Sequence, residues 1–240
     1  MLDRFSFYDI TLKPQKRMWE NSFIVIEFLA IASGCLSGVL HALRRNFDIV
    51  GVMIIGIASG VGGGILRDVL ISDGPPLVIK YESYLITILS ATFIGMFFGT
   101  LIDRLQKVIW HVDAFSLGFF TIAGMQRAFL NDLSVLPALF LGVITATGGG
   151  LLRDVLSRET PIILLPGHPH TLASLFGGLV YMVFIKLFGF EIIVSETIGV
   201  VATYIIKLLA LRYDLIVPTP PDVMHHIQRI LTKRKSKGKE

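Results

Sequence analysis

The sequence predicts an all-α membrane protein of seven transmembrane helices, arranged as two inverted three-helix repeats followed by a seventh helix. Three observations carry this. First, the 240 residues are 53% hydrophobic and only 17% charged, with a mean hydropathy of +0.70, whereas a soluble domain carries about 25% charged residues. Second, the apolar residues collect in long runs: 49–66, 83–102 and 133–152 hold no Asp, Glu, Lys, Arg or His. A run of about 18 or more apolar residues is what a helix needs to cross the hydrocarbon layer. Third, the sequence overlays on itself at a shift of 86 residues.

Taken in order, the apolar runs give spans at 22–42, 49–71, 83–102, 110–130, 133–156, 170–188 and 192–211. The first carries Glu27 and His41 near its two ends, and the fourth carries Asp113 and Arg127 likewise. The seventh holds Glu196 and Lys207, which makes it the weakest span. The expected division is an N-terminal segment 1–21, a first repeat 22–108, a second repeat 109–189, the seventh span 190–212 and a basic tail 213–240. Residues 229–239, "RILTKRKSKGK", hold six Lys or Arg. Basic flanks favour the cytoplasmic side, so the C-terminus is expected inside, at a cell (inner) membrane. Arg4, Lys13, Lys16 and Arg17 at the other end conflict with that orientation. The lone Cys35 lies in a hydrophobic run and excludes both an internal disulfide and a thiolate metal site.

At the 86-residue shift "GGGILRDVL" (62–70) meets "GGGLLRDVL" (148–156), identical at eight of nine places. Glu27 meets Asp113, Gly38 meets Gly124, His41 meets Arg127, Ser59 meets Thr145 and Pro75 meets Pro161. Each copy holds three spans, and an odd number makes the second copy enter the membrane from the opposite face. Such inverted repeats place their site near the midplane, on helices broken at matching positions.

The matching positions here are Gly62, Gly63, Gly64 and Gly148, Gly149, Gly150. Glycine costs about 1 kcal/mol in a helix interior relative to alanine, so a kink or short unwound stretch is expected in spans two and five. Freed carbonyls at that depth must line a wet cavity or be buried in protein, and could coordinate cations. The competing reading is close helix packing through small residues. Arg67, Asp68, Arg153 and Asp154 follow each triplet. Charges in a span face a cavity or pair with one another, unless they snorkel at the membrane edge. Ser59 and Thr145 lie one turn before the triplets. Their hydroxyls either serve an ion or bond their own helix backbone. Glu27 and Asp113 either concentrate cations at path entrances or sit favourably at helix N-termini.

Other chemistry is weak. The triplets lack the lysine of a phosphate-binding loop. "GHPH" at 167–170 offers His168 and His170 without an evident third ligand, and His225 and His226 belong to the tail. No catalytic set stands out, so no enzyme activity, metal or cofactor is expected, and no nucleic-acid partner.

The seven spans, the doubled three-span unit and the doubled GGG-L-R-D motif resemble the TRIC family of trimeric intracellular cation channels, in its prokaryotic members, which are also catalogued as a glycine-transporter-type membrane domain. The resemblance covers about residues 22–211. It implies a homotrimer in membrane lipid, each subunit with its own pore between the repeats. It also implies passive passage of monovalent cations, chiefly potassium, besides sodium. By position it carries the pore kinks onto Gly62–Gly64 and Gly148–Gly150. Animal members carry a lysine-containing voltage motif that is not found here; Arg127 stands as a candidate gating charge. The alternative expectation is a small-amino-acid (glycine) transporter that uses the same broken helices.

Overall fold

The computed structural model describes residues 13–103, 106–165 and 170–213. His168, His225, His226, Arg4 and the basic tail beyond Tyr213 lie outside the described residues. The helices are α1 (Lys13–Arg44), α2 (Ile49–Ile71), the single turn α3 (Leu77–Lys80), α4 (Glu82–Asp103), α5 (Gln106–Leu130), α6 (Val135–Leu156), α7 (His170–Lys186) and α8 (Ile192–Arg212), with a 3-10 turn at Ile162–Leu164.

The repeat in the sequence is a repeat in the backbone. A shift of 86 residues carries α1 onto α5, α2 onto α6, α3 onto the 3-10 turn and α4 onto α7. The connections match too. Asn46 and Asp132 both turn through left-handed backbone, at φ 53° and 59°, and Ser72 and Arg158 do so at 59° and 58°. Asp48 and Ser134, the N-caps of α2 and α6, share ψ 172°. The Asp48 side chain accepts a 2.7 Å bond from the Gly51 N–H and ties up a donor that the first helical turn leaves unpaired.

Among the described residues, four helices are long and apolar enough to cross a membrane: Trp19–Arg44, Ile49–Ile71, Val135–Leu156 and Ile192–Arg212. Shorter apolar stretches run over Glu82–Phe98 and His170–Lys186. Large apolar side chains face outward, among them Phe97 (81% exposed), Leu136 (76%) and Phe140 (63%). That surface is unfavourable in water and at home in lipid, where the helix also satisfies every backbone polar group internally. At the centre α1 packs on α2 and α5, and α6 packs on the same two helices. In the first half α4 lies directly along α1. In the second half α8 packs against both α5 and α7, so an extra helix stands beside the counterpart of α1.

The glycine triplets do not unwind their helices. Residues 49–71 and 135–156 are each one uninterrupted α-helix, against the expectation of an unwound stretch. The glycines instead let two backbones touch. A Cβ on Gly63 would strike the Thr145 carbonyl oxygen, and one on Gly149 would strike the Ser59 carbonyl oxygen. One on Gly62 would lie 3.3 Å from the Gly149 Cα, and one on Gly148 would lie 3.1 Å from the Gly63 Cα. As numbers rise along α2 they fall along α6, so the two helices cross antiparallel at this point. Backbone contact of this kind maximises dispersion where no hydrophobic effect drives helices together. It also removes the need for broken hydrogen bonds, because both helices keep their ladders.

Span seven is a helix whose charged residues face protein. Glu196 is 3% and Lys207 4% exposed. Glu196 accepts from the Gln126 side-chain amide, which also reaches Ser22 Oγ at 3.3 Å, so one end of α8 is tied to α1 and α5.

The third glycine of each triplet is different. A Cβ on Gly64 or Gly150 meets nothing nearer than an arginine Nη2 at 3.9 Å. Gly63→Ala and Gly149→Ala are therefore expected to lose about 1–3 kcal/mol through overpacking against backbone. Gly64→Ala and Gly150→Ala should be neutral or gain up to about 1 kcal/mol from helix propensity. Thermal unfolding midpoints of the four variants in detergent check this; equal effects at all four positions would contradict it.

Candidate functional site

One turn beyond the crossing, each helix turns an arginine inward. Arg67 is 1% exposed. Its Nε donates to Asp68 Oδ1 at 2.9 Å, and its Nη2 bonds both that oxygen (2.8 Å) and Glu27 of α1. The second Asp68 oxygen accepts the Leu77 N–H at 2.9 Å and so caps α3. Tyr84 of α4 donates its hydroxyl to Glu27 Oε2 at 2.8 Å. The Phe23 ring centroid lies 5.6 Å from the guanidinium carbon, close enough for a cation–π contribution.

The second half repeats the pattern. Arg153 Nε donates to Asp154 Oδ1 at 2.9 Å, and Asp154 Oδ2 accepts the Ile162 N–H at 2.9 Å. Arg153 Nη1 lies 3.5 Å from Asp113 Oδ1 and 3.3 Å from Ser37 Oγ. His170, at the position equivalent to Tyr84, brings Nε2 to 3.6 Å from Asp113 Oδ2. The outer pairs correspond as well. Arg127 reaches Asp73 at 3.2 Å and Asp68 at 3.9 Å. Its counterpart His41 lies 3.8 Å from Glu159, the counterpart of Asp73.

The two centres are not identical. Lys207 of α8, which has no counterpart in the first half, bonds the Asp113 carboxylate and, at 3.2 Å, its backbone carbonyl. Among the described residues, Glu27, Asp68 and Asp73 face two guanidiniums, Arg67 and Arg127, in the first centre. In the second, Asp113, Asp154 and Glu159 face three cations, Arg45, Arg153 and Lys207. His41, Asp154 and Glu159 also bring ligand atoms within 4.8 Å of one another. Arg45 holds Glu159, and the two Asp154 oxygens accept from Arg153 and from the Ile162 N–H.

Each centre borders a cavity. One, of about 10 Å³, is lined by Glu27, Gly60, Gly64, Arg67, Asp68 and Tyr84 among others. The other, of about 40 Å³, is lined by Ser59, Asp113, Gly150, Arg153, His170 and Lys207 among others. The larger has room for one to a few waters and the smaller for at most one. Of the residues singled out in the sequence, Ser59, Gly64, Gly149 and Gly150 line these cavities, together with Glu27, Asp113 and the two Arg–Asp pairs. Gly62, Gly63, Gly148 and Thr145 line neither; Thr145 bonds its hydroxyl to Leu141 O at 2.6 Å within its own helix. Arg67 and Arg153 pair with carboxylates of their own half, whereas Arg127 and Arg45 reach across to the other. Tyr84, Asp73 and Glu159 escape a reading of the motifs alone, and His170, singled out within GHPH, is not linked there to Asp113, although the same 86-residue shift relates Tyr84 to His170 and Asp73 to Glu159. Lys207 lies outside the repeat, and nothing in the pattern marks its partner.

These features define an integral membrane protein with two buried Arg–Asp centres at equivalent places of an internal repeat. Comparison with known proteins gives the same class. A family model described as "Glycine transporter" matches twice, at residues 24–100 and 110–186, which are 86 residues apart. The UPF0126 inner membrane protein YadS of Escherichia coli K12 is 33% identical over 195 residues, covering 81% of this chain and 94% of that one. A UPF0126 membrane protein of Vibrio cholerae is 33% identical over 199 residues, covering 81% of each. Among solved structures, the TRIC trimeric intracellular cation channel orthologue of Rhodobacter sphaeroides superposes with a TM-score of 0.74 at 28% identity, over 81% of this chain and all of that one. A second TRIC cation channel, solved to explain conductance, gives 0.72 at 28% identity over 82% and 97%. The chain belongs to the TRIC family, in the prokaryotic branch that the glycine-transporter model describes.

The Asp113–Lys207 pair gives a direct test of how the second centre is held. Asp113→Asn leaves a buried ammonium without its counter-charge, a loss of about 3–5 kcal/mol. Lys207→Met strands less charge, because Arg153 remains beside Asp113. The double variant should be less destabilised than the sum, with a coupling of about 0.5–3 kcal/mol, read from unfolding midpoints. Additive effects would show that the two residues do not depend on each other.

Proposed function

We propose that this protein is a monovalent cation channel, permeable to potassium, with a path inside each subunit that runs between the two halves. The observation that carries the reading is the pair of cavities at repeat-equivalent positions, each walled by an Arg–Asp pair and a further carboxylate. Its support from relatives is the TRIC fold at TM-scores of 0.72–0.74. In this reading the seven long helices all cross the membrane. Because α2 and α6 run antiparallel, the second half is inverted relative to the first, and the two cavities open toward opposite faces. Fixed carboxylates near both mouths attract cations and repel anions. Their paired arginines hold the carboxylates in place and stop them from trapping a cation as a tight site. Conduction needs binding that is weak enough to release.

The proposed assembly is a homotrimer in the inner membrane with the basic C-terminus cytoplasmic. Trimers are named for the Rhodobacter sphaeroides relative. In the trimer some of the exposed apolar surface, such as Phe97 and Phe140, would meet a second copy rather than lipid. Glycine transport rests on the description of the family model alone.

The test uses the purified full chain in planar bilayers and in proteoliposomes. A KCl gradient should give a reversal potential on the potassium side. Glycine uptake should stay at the level of empty vesicles. Saturable, competable glycine uptake without potassium current would overturn the channel reading in favour of a transporter.

A further inference from the structure

We infer that Phe120 is the single constriction of this path, an aromatic plug that separates the two wet cavities. The inference rests on the channel reading and goes beyond it by naming the residue that closes the path.

Phe120 is 4% exposed and lines both cavities, the one beside Arg67 and the one beside Arg153. The other residues at this level are apolar or small: Ile31 and Gly60 on one side, Leu117 and Ala146 on the other. They are repeat partners. Ile31 corresponds to Leu117, and Gly60 to Ala146, under the 86-residue shift. The waist is therefore a small ring of symmetry-related residues, and it carries no charge.

Phe120 is where the symmetry breaks. Its counterpart is Gly34. The two face each other directly: a Cβ on Gly34 would lie 2.8 Å from Phe120 Cε2 and 3.1 Å from the Gly60 Cα. The helices α1 and α5 thus meet across the approximate two-fold relation at this pair. Two phenylalanines there would collide, and two glycines would leave a gap joining the cavities. One of each fills the space with a single ring. An apolar constriction filled by a side chain excludes water and so opposes a hydrated ion, even without a charged barrier.

The fold supplies the reason for α1 to carry the glycine. The ring needs backbone, not a side chain, behind it, and any residue larger than glycine at 34 would push it out of the waist. Phe120 is then the gate-forming group, and the Arg–Asp centres on either side are the mouths it divides.

The experiment measures potassium efflux from proteoliposomes for the full chain and for Phe120→Ala, Phe120→Leu and Phe120→Tyr. Phe129→Ala serves as control, because Phe129 lies in the same helix, is buried at 7% exposure and lines neither cavity. Efflux at zero voltage should rise at least roughly tenfold for Phe120→Ala, the factor that about 1.4 kcal/mol off a barrier gives. Phe120→Leu should fall between, and Phe120→Tyr should match the parent. Elution volume and unfolding midpoint confirm folding, and Phe120→Leu carries the test if the alanine variant does not fold. Efflux from the parent that no Phe120 substitution changes would overturn the plug and leave the channel reading intact. An equal rise for Phe129→Ala would also overturn it, since general loosening would then be the cause. No efflux from the parent or any variant would overturn the channel reading itself.

Discussion

The whole arrangement depends on the antiparallel contact of two helix backbones. At Gly63 and Gly149 there is no room for a methyl group between α2 and α6, because a carbonyl of the partner helix occupies that place. This fixes the distance, the register and the crossing point together. Arg67 follows Gly63 by four residues, and Arg153 follows Gly149 by four. One helical turn beyond the contact, each chain must therefore place its arginine on the inward face. The antiparallel sense sends the two arginines to opposite ends of the crossing. The spacing of the two charged centres is thus a consequence of two glycines.

Buried charge then has to be compensated, since an unpaired ion in this setting is expensive. The first centre is closed by elements of its own half plus Arg127 from the end of α5. In the second, Arg45, just past the end of α1, holds Glu159 beside His41, and Lys207 is added. The exchange of helix ends interlocks the halves: each centre uses a side chain from the opposite repeat. The added helix α8 is not decoration on this scheme. With Arg45, whose counterpart is the uncharged Asn131, it brings a cation that has no equivalent, and hence the imbalance between a first centre with more carboxylates than guanidiniums and a second that is evenly paired.

Much of this was legible in the sequence, and the omissions have physical causes. The helices occupy the apolar runs because length and hydropathy decide that at low resolution. The doubled motif picked out α2 and α6, the two helices whose backbones cross at the centre. It did not distinguish a broken helix from a tightly packed one, because glycine serves both and only the partner backbone decides. Gly63 and Gly64 are adjacent and chemically identical in the sequence, yet one touches a carbonyl and the other borders a cavity. Glu27 and Asp113 read either as acidic path entrances or as helix N-terminal charges, and their partners Tyr84, His170 and Lys207 lie 57 or more residues away along the chain. Phe120 carries no signal by itself; it stands out only when its counterpart is seen to be Gly34 and the two are seen to meet.

The central claim is that two polar vestibules, related by the internal repeat, open toward opposite faces of the membrane and are kept apart at the waist. Gly64 and Gly150 offer a way to ask this directly, since each borders one vestibule and has room for a side chain. With Cys35 replaced by alanine, single cysteines at these two positions can be probed in oriented vesicles with a small, charged, membrane-impermeant thiol reagent added to one side at a time. The account predicts that Gly64→Cys reacts from one face only and Gly150→Cys from the opposite face only. Reaction of both from the same face would contradict it.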